Sequence, residues 1–213
     1  MEKIILSTSI LLMTLTGMSQ SKEFAGALGE ALSQYATCKT VDDFQKLGNR
    51  FSLIAEAEKT EWLPFYYHAY CYILMSFIEQ SDAVKRDSYL DVAEKSIDKI
   101  IALVPNEAEA FVLQSFYFTG RLVINPMQRG QQYSMLAGQA VGKALSLEPN
   151  NPRAKVIKLQ NDMGSAQFFG KDPKEYCPQA SELLANWDNY KLKSPLYPAW
   201  GKDQVTEIVA GCK

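Results

Sequence analysis

Histidine is almost absent from this chain: its 213 residues contain one, His68. That scarcity argues against a histidine-rich metal centre, and His68 has no orienting partner legible near it for general-base work. A cationic excess is missing as well. With 22 Lys and Arg against 24 Asp and Glu, the net charge is −2, so there is no electrostatic footprint for nucleic acid. There is no glycine-rich phosphate loop, only the isolated glycines of Gly164-Ser165 and Phe169-Gly170-Lys171. No Cys-x-x-Cys occurs, which removes the usual zinc-ribbon and thiol-redox readings. No stretch alternates with a period of two, so no strand is expected. Past residue 15 no apolar run approaches the ~20 residues that a membrane-spanning helix needs. What remains is 47% apolar and 22% charged, the composition of a globular domain with a sizeable core.

The N-terminus reads as an export signal. Lys3 supplies positive charge, residues 4–15 form an apolar segment broken only by small hydroxyls, and Gly17 and Ser19 stand at −3 and −1 of a cut before Gln20. The segment is too short for a transmembrane anchor. No cysteine adjoins the cut, so a lipid anchor is not expected. The division is therefore 1–19 signal peptide and 20–213 a single domain, periplasmic or secreted. That address permits disulfides. Cys38, Cys71, Cys177 and Cys212 allow three pairings. Cys177 opens one predicted helix and Cys212 closes the next, so antiparallel packing favours Cys177–Cys212, with Cys38–Cys71 as its companion. The alternative is buried thiols acting as small hydrophobes.

Apolar residues recur at helical spacing along the rest of the chain. A first helix spans 22–37, with Phe24, Leu28, Ala31, Leu32 and Tyr35 on one stripe. Thr40, with Asp43 three residues on, caps the second. The third, 61–80, carries aromatics all round, and Pro64 fits only in its first turn. The polar stretch 80–87 reads as a turn before a fourth helix over 88–104. Asn106 with Glu109 reads as a capping box for a fifth, ending near Gly120 or Arg121. Residues 124–130 read as a loop by Pro126 and Gly130, and a sixth helix follows. Asn151-Pro152 starts a seventh that ends by Gly164. Asp172-Pro173 with Glu175 starts an eighth, and 202–210 forms a last short helix stopped by Gly211. Residues 194–201 are extended by their prolines.

One half-motif occurs twice. Ala93, Ile97, Ile100 and Pro105 share the offsets of Ala137, Val141, Ala144 and Pro149. Spacings of four and three make one helical face, and each proline falls just past the helix end. This pattern resembles the tetratricopeptide (TPR) repeat, whose second helix carries small and larger apolar residues at these places and whose repeat closes on proline. Trp62 matches that family's first-helix signature, and Phe111 takes the same place in the next copy. Ile100 departs from the usual alanine, Tyr66 and Ser115 stand where glycine is usual, and the prolines lie 44 residues apart rather than 34. The likeness covers Trp62 to Asn161. It implies an all-α, right-handed α-solenoid of about four helical hairpins with a C-terminal capping helix. More loosely, Trp62-Leu63-Pro64, Tyr66-Tyr67, Asn125-Pro126, Asn151-Pro152-Arg153-Ala154 and Pro198 with Trp200-Gly201 resemble exported TPR-like bacterial proteins of unknown function. That likeness implies a fold and a compartment but no activity.

Registering the repeat on Pro105 and Pro149 turns Val112, Phe116, Arg153, Val156 and Gln160 to the concave side, and Trp62 turns Leu63, Tyr67 and Tyr70 the same way. Such a tyrosine-rich strip suits a peptide or a partner protein. It requires Tyr67, Tyr70 and Phe116 to be partly exposed. Stripes at helical spacing are, however, commonly core. Asp87 and Asp91, or Glu94 and Asp98, are one helical turn apart and read as a solvated face rather than a cation site. The expectation is a binding or scaffold module without catalysis, cofactor, metal or nucleic acid. A structural subunit of an envelope assembly is the alternative. A small ligand-binding protein or enzyme, with a pocket near Phe168, Tyr197 and Trp200, is the third reading.

Overall fold

In the computed structural model, residues 22–212 are described, and the proposed signal peptide lies outside them. Among the described residues nine α-helices follow one another: α1 Lys22–Tyr35, α2 Val41–Ala57, α3 Trp62–Ile78, α4 Ala83–Leu103, α5 Ala108–Ile124, α6 Pro126–Leu147, α7 Pro152–Phe168, α8 Cys177–Ala185 and α9 Lys202–Gly211. Two 3₁₀ turns, Pro173–Tyr176 and Trp187–Asn189, flank α8. The described residues contain no strand.

Local chemistry sets the helix starts. Thr40 and Asp43 form the expected reciprocal capping box: the Asp43 amide donates to Thr40 Oγ1 at 3.2 Å and the Thr40 amide to Asp43 Oδ2 at 2.9 Å. Asp82 accepts from the Lys85 amide at 3.0 Å and starts α4 at Ala83, so the turn expected over 80–87 is much shorter. Asn125 alone separates α5 from α6. It caps α6 through the Gln128 amide at 3.2 Å, with Pro126 in the first turn, and the loop expected over 124–130 is helix instead. α5 runs past Gly120 to Ile124 because Arg121 is held inward. It meets Asp87 at 2.7 Å and also pairs with Asp91. Arg129 bonds both oxygens of Asp87, at 2.8 and 2.7 Å. The carboxylates read as a solvated face thus anchor α4 to α5 and α6. Arg129 and Arg121 also hold the Asp87 carboxyl below the usual carboxylate range, against its partial burial. α7 continues past Gly164 to Phe168, and Asp172-Pro173 opens a 3₁₀ turn rather than an α-helix.

Each helix packs against its sequence neighbours, and the alternate helices α3, α5 and α7 also touch one another. The repeated stripes lie inward: Ala93, Ile97, Ile100, Ala137, Val141 and Ala144 are all buried. The largest core unites α1 to α5, a second joins α5, α6 and α7, and a third joins α7, α8 and α9. Cys177 is bonded to Cys212, Cα atoms 5.9 Å apart, which ties the start of α8 to the end of α9. The proposed Cys38–Cys71 companion is corrected. Both are free thiols, Cys71 buried against Gly48 of α2 and Cys38 donating to the Gln34 carbonyl at 3.4 Å.

Candidate functional site

Trp62, Tyr66 and Tyr70 recur at spacings of four along one side of α3, where Tyr66 and Tyr70 meet Glu109 and Phe116 of α5, while Tyr67 stacks on Phe51 of α2. What covers these rings is the chain itself. The segment 194–201 lies across α3 and α5 as a strap; it is not extended throughout as its prolines suggest, since residues 194–197 form a turn in which the Tyr197 amide donates to the Ser194 carbonyl at 3.1 Å. Tyr67 donates its hydroxyl to the Leu196 carbonyl at 2.7 Å, and Tyr197 donates to Glu107 Oε2 at 2.8 Å. Lys193 pairs with Glu107 at 3.1 Å and Glu148 at 3.3 Å. Trp200 inserts its indole between α3 and α5. The strap ends at Gly201, whose φ of +116° suits glycine and where a Cβ would sit 2.6 Å from the Trp187 ring.

The result is a row of near-parallel rings. Phe77 and Phe116 stack at 5.0 Å and 15°, Phe116 and Trp200 at 5.9 Å and 29°, and Trp200 and Tyr70 at 5.3 Å and 17°. Phe77, Phe116 and Trp200 are half-buried and keep ring area at the surface, with Thr119 one turn along α5 bonded to Asn161 of α7 at 2.9 Å. The parts of Phe77, Phe116 and Trp200 left uncovered are apolar, which suits an apolar ligand better than an ion or a phosphate.

Behind the row lies a buried polar cluster. Glu109 is 0% exposed and Arg153 is 6% exposed. Arg153 Nε and Nη2 meet Glu109 Oε1 at 2.8 and 2.6 Å, and Asn151 Nδ2 donates to the same oxygen at 2.6 Å. Burial opposes the charge on Arg153, but the Glu109 carboxylate more than offsets it and raises the guanidinium above its ordinary value. Beside this cluster opens a cleft of about 620 Å³, lined among others by Arg153, Trp187, Tyr190, Lys193, Tyr197 and Lys202. Of its lysines, Lys193 and Lys202 are ion-paired, Lys202 with Asp188 at 2.7 Å, and Lys191 donates to the Asp188 carbonyl at 3.0 Å.

The expected site residues divide accordingly. Tyr67 and Tyr70 are 6% and 2% exposed, so the expectation of partial exposure is corrected for both: the strap and α1 cover them. Phe116 keeps partial exposure. Val112 is wholly buried in the α5–α6–α7 core. Arg153 faces Glu109 instead of solvent, and Gln160 is half-buried on α7. The supposed pocket of Phe168, Tyr197 and Trp200 does not form. Arg153 contacts the strap end at Gly201, whereas Phe168 lies fifteen residues along α7, about 22 Å by helical rise, where it meets exposed Phe169 edge to face. Glu109 was expected only as a cap residue, and Trp200 was expected beside Phe168 in a pocket, whereas it lies against Tyr70 and Phe116.

His68 lies on α3 toward α4, its Nδ1 2.8 Å from Ser96 Oγ and its ring 4.8 Å from Tyr72. Burial pushes its pKa down to about 4, so it is neutral near pH 7. Among the described residues no group of three His, Cys, Asp or Glu side chains is arranged to hold a metal ion, and no helix is long and apolar enough to cross a membrane.

No family model matches the chain, and no curated protein does. Among solved structures, the chain is similar to the HusA haemophore from Porphyromonas gingivalis. Identity is 26%, the TM-score is 0.78, and the match covers 92% of this chain and 96% of that one.

Proposed function

We propose that this chain is an exported binding protein for a flat apolar ligand of the tetrapyrrole class, held on the ring row of α3, α5 and the strap. The carrying observation is the stack Phe77–Phe116–Trp200–Tyr70, with three half-buried rings, in a chain similar over nine-tenths of its length to a haemophore. Each aromatic contact with a macrocycle contributes on the order of 1 kcal/mol beyond area burial. Covering ~200 Å² of apolar protein surface adds about 5 kcal/mol before the cost of association. The only imidazole is engaged with Ser96 on the α4 side, so the ring row recognises the macrocycle rather than its metal. The likeness to a haemophore favours this reading over a peptide in the same face, because the strap already lies where a peptide would. The helical hairpins are taken as a degenerate TPR-like solenoid, which accounts for the repeated stripes and for contact among α3, α5 and α7. Residues 1–19 supply the export signal, and the Cys177–Cys212 disulfide fits an oxidising compartment. No catalytic step is assigned.

The test is titration with haemin and with iron-free protoporphyrin, following the ligand's absorbance and tryptophan quenching. Both are expected to bind, with affinities within about threefold of each other. Phe116→Ala is expected to weaken both about tenfold, the equivalent of ~1.4 kcal/mol. Absence of binding to either ligand at micromolar concentration overturns the proposal. Undiminished binding by the folded Phe116→Ala variant moves the site elsewhere.

A further inference from the structure

Trp200 stands on a segment without regular secondary structure, yet its ring lies nearly parallel to those of Tyr70 and Phe116. Stacking alone leaves an indole free to slide and tilt within its plane. A hydrogen bond fixes it: Trp200 Nε1 donates to the Tyr66 hydroxyl at 2.9 Å. Tyr66 is fully buried, and its own proton points to Glu109 Oε2 at 3.4 Å. The other carboxylate oxygen of Glu109 takes Arg153 and Asn151, and Asn151 Oδ1 in turn accepts the Ala154 amide at 2.9 Å as the cap of α7. The relay therefore runs from the start of α7 through α5 and α3 to the half-buried indole. Burial, reinforced by the Glu109 charge, holds the Tyr66 phenol well above its ordinary pKa, so it keeps the proton it donates.

We infer that Tyr66 and Glu109 are positioning residues for ligand recognition, holding the half-buried Trp200 indole in place between Tyr70 and Phe116 before the ligand arrives. The inference rests on the tetrapyrrole reading for its ligand and on the relay alone for its mechanism. An indole oriented in advance loses less side-chain freedom on binding, and preorganisation of this kind raises affinity without a new contact.

Tyr66→Phe keeps the ring, its volume and its stacking and removes only the hydroxyl. The chain has three tryptophans, so a ¹H–¹⁵N spectrum shows three indole signals, and Trp200→Phe assigns the one that matters. In the ligand-free Tyr66→Phe protein, the Trp200 indole signal is expected to move upfield and its hydrogen to exchange about fivefold faster, while the Trp187 signal stays in place. Haemin affinity is expected to fall about fivefold. Glu109→Gln keeps acceptors for Arg153 and Asn151 and reports on the same signal should Tyr66→Phe fold poorly. An unmoved Trp200 signal in both variants overturns the relay whatever the ligand does. A moved signal with unchanged haemin affinity overturns the positioning role while leaving the binding site standing. If the native protein binds no tetrapyrrole, the proposed function fails and the positioning role falls with it, whereas the indole signal still reports the relay.

Discussion

Glu109 occupies a place where a charge is normally costly. It is out of solvent at the start of α5 and stays there because Arg153, Asn151 and Tyr66 together satisfy both of its oxygens. Removing one partner of such a pair leaves the other buried and unmatched. Glu109→Ala is accordingly expected to lower unfolding free energy by about 3–5 kcal/mol, measured by urea denaturation. The double variant Glu109→Leu/Arg153→Met is expected to recover most of that loss, since the stranded charge goes too. A loss under about 1 kcal/mol for Glu109→Ala is the outcome that excludes this account, because it is what an exposed pair gives.

At the scale of elements, α8 and α9 are short, nine and ten residues, and bury few large side chains. Val205 is the buried residue of α9, and it joins Val156, Leu159, Ala180 and Leu183 in the small third core. Helices of this length hold their place by packing and tethering rather than by intrinsic stability. The disulfide closes a separation of 35 residues that includes the whole strap. In the chain-entropy model, a Cys177→Ser/Cys212→Ser variant is expected to lose about 3–4 kcal/mol, read from the denaturation midpoint. Its far-UV spectrum is expected to stay helical, because α1 to α7 do not depend on the bond. A midpoint unmoved by the substitution counts against the tether.

For the molecule as a whole, the strap adds to the joins that α5 and α7 already make between the cores. Trp200 packs on the first and the second, and Gly201 brings Trp187 of the third core into contact. Acid stability is a property of that whole. His68 has its pKa lowered to about 4 by burial, against ~6.5 for the free side chain. Between those values the unfolded chain binds a proton that the folded chain does not, so stability falls as pH falls from about 6.5 to 4 and levels off below. The amplitude is on the order of 3 kcal/mol. His68→Gln, able to keep a bond to Ser96, is expected to flatten that part of the pH–stability curve measured by thermal unfolding. An unchanged slope assigns the acid sensitivity to other groups.

The helices were legible because their signals are local. Thr40 and Asp43, Asn151 with Pro152, and the stripes Ala93-Ile97-Ile100 and Ala137-Val141-Ala144 act within a turn or two of themselves, and each does locally what its spacing predicts. Helix ends were less legible where a distant partner sets them. α5 continues to Ile124 because Arg121 finds carboxylates on α4, 30 and 34 residues away in sequence. The candidate site was only half legible. Phe116 and Tyr70 could be placed on an inward face by period, but nothing local marks Glu109 as buried or brings Trp200, 134 residues from Tyr66, against it. The sequence by itself thus determined an all-helical chain and the spacing of its aromatic residues, and it favoured Cys177–Cys212 among three pairings without fixing it. Only the tertiary structure decided what covers those aromatic residues, because an irregular segment has no period of its own and its position is set by the long-range contacts it makes with the packed helices.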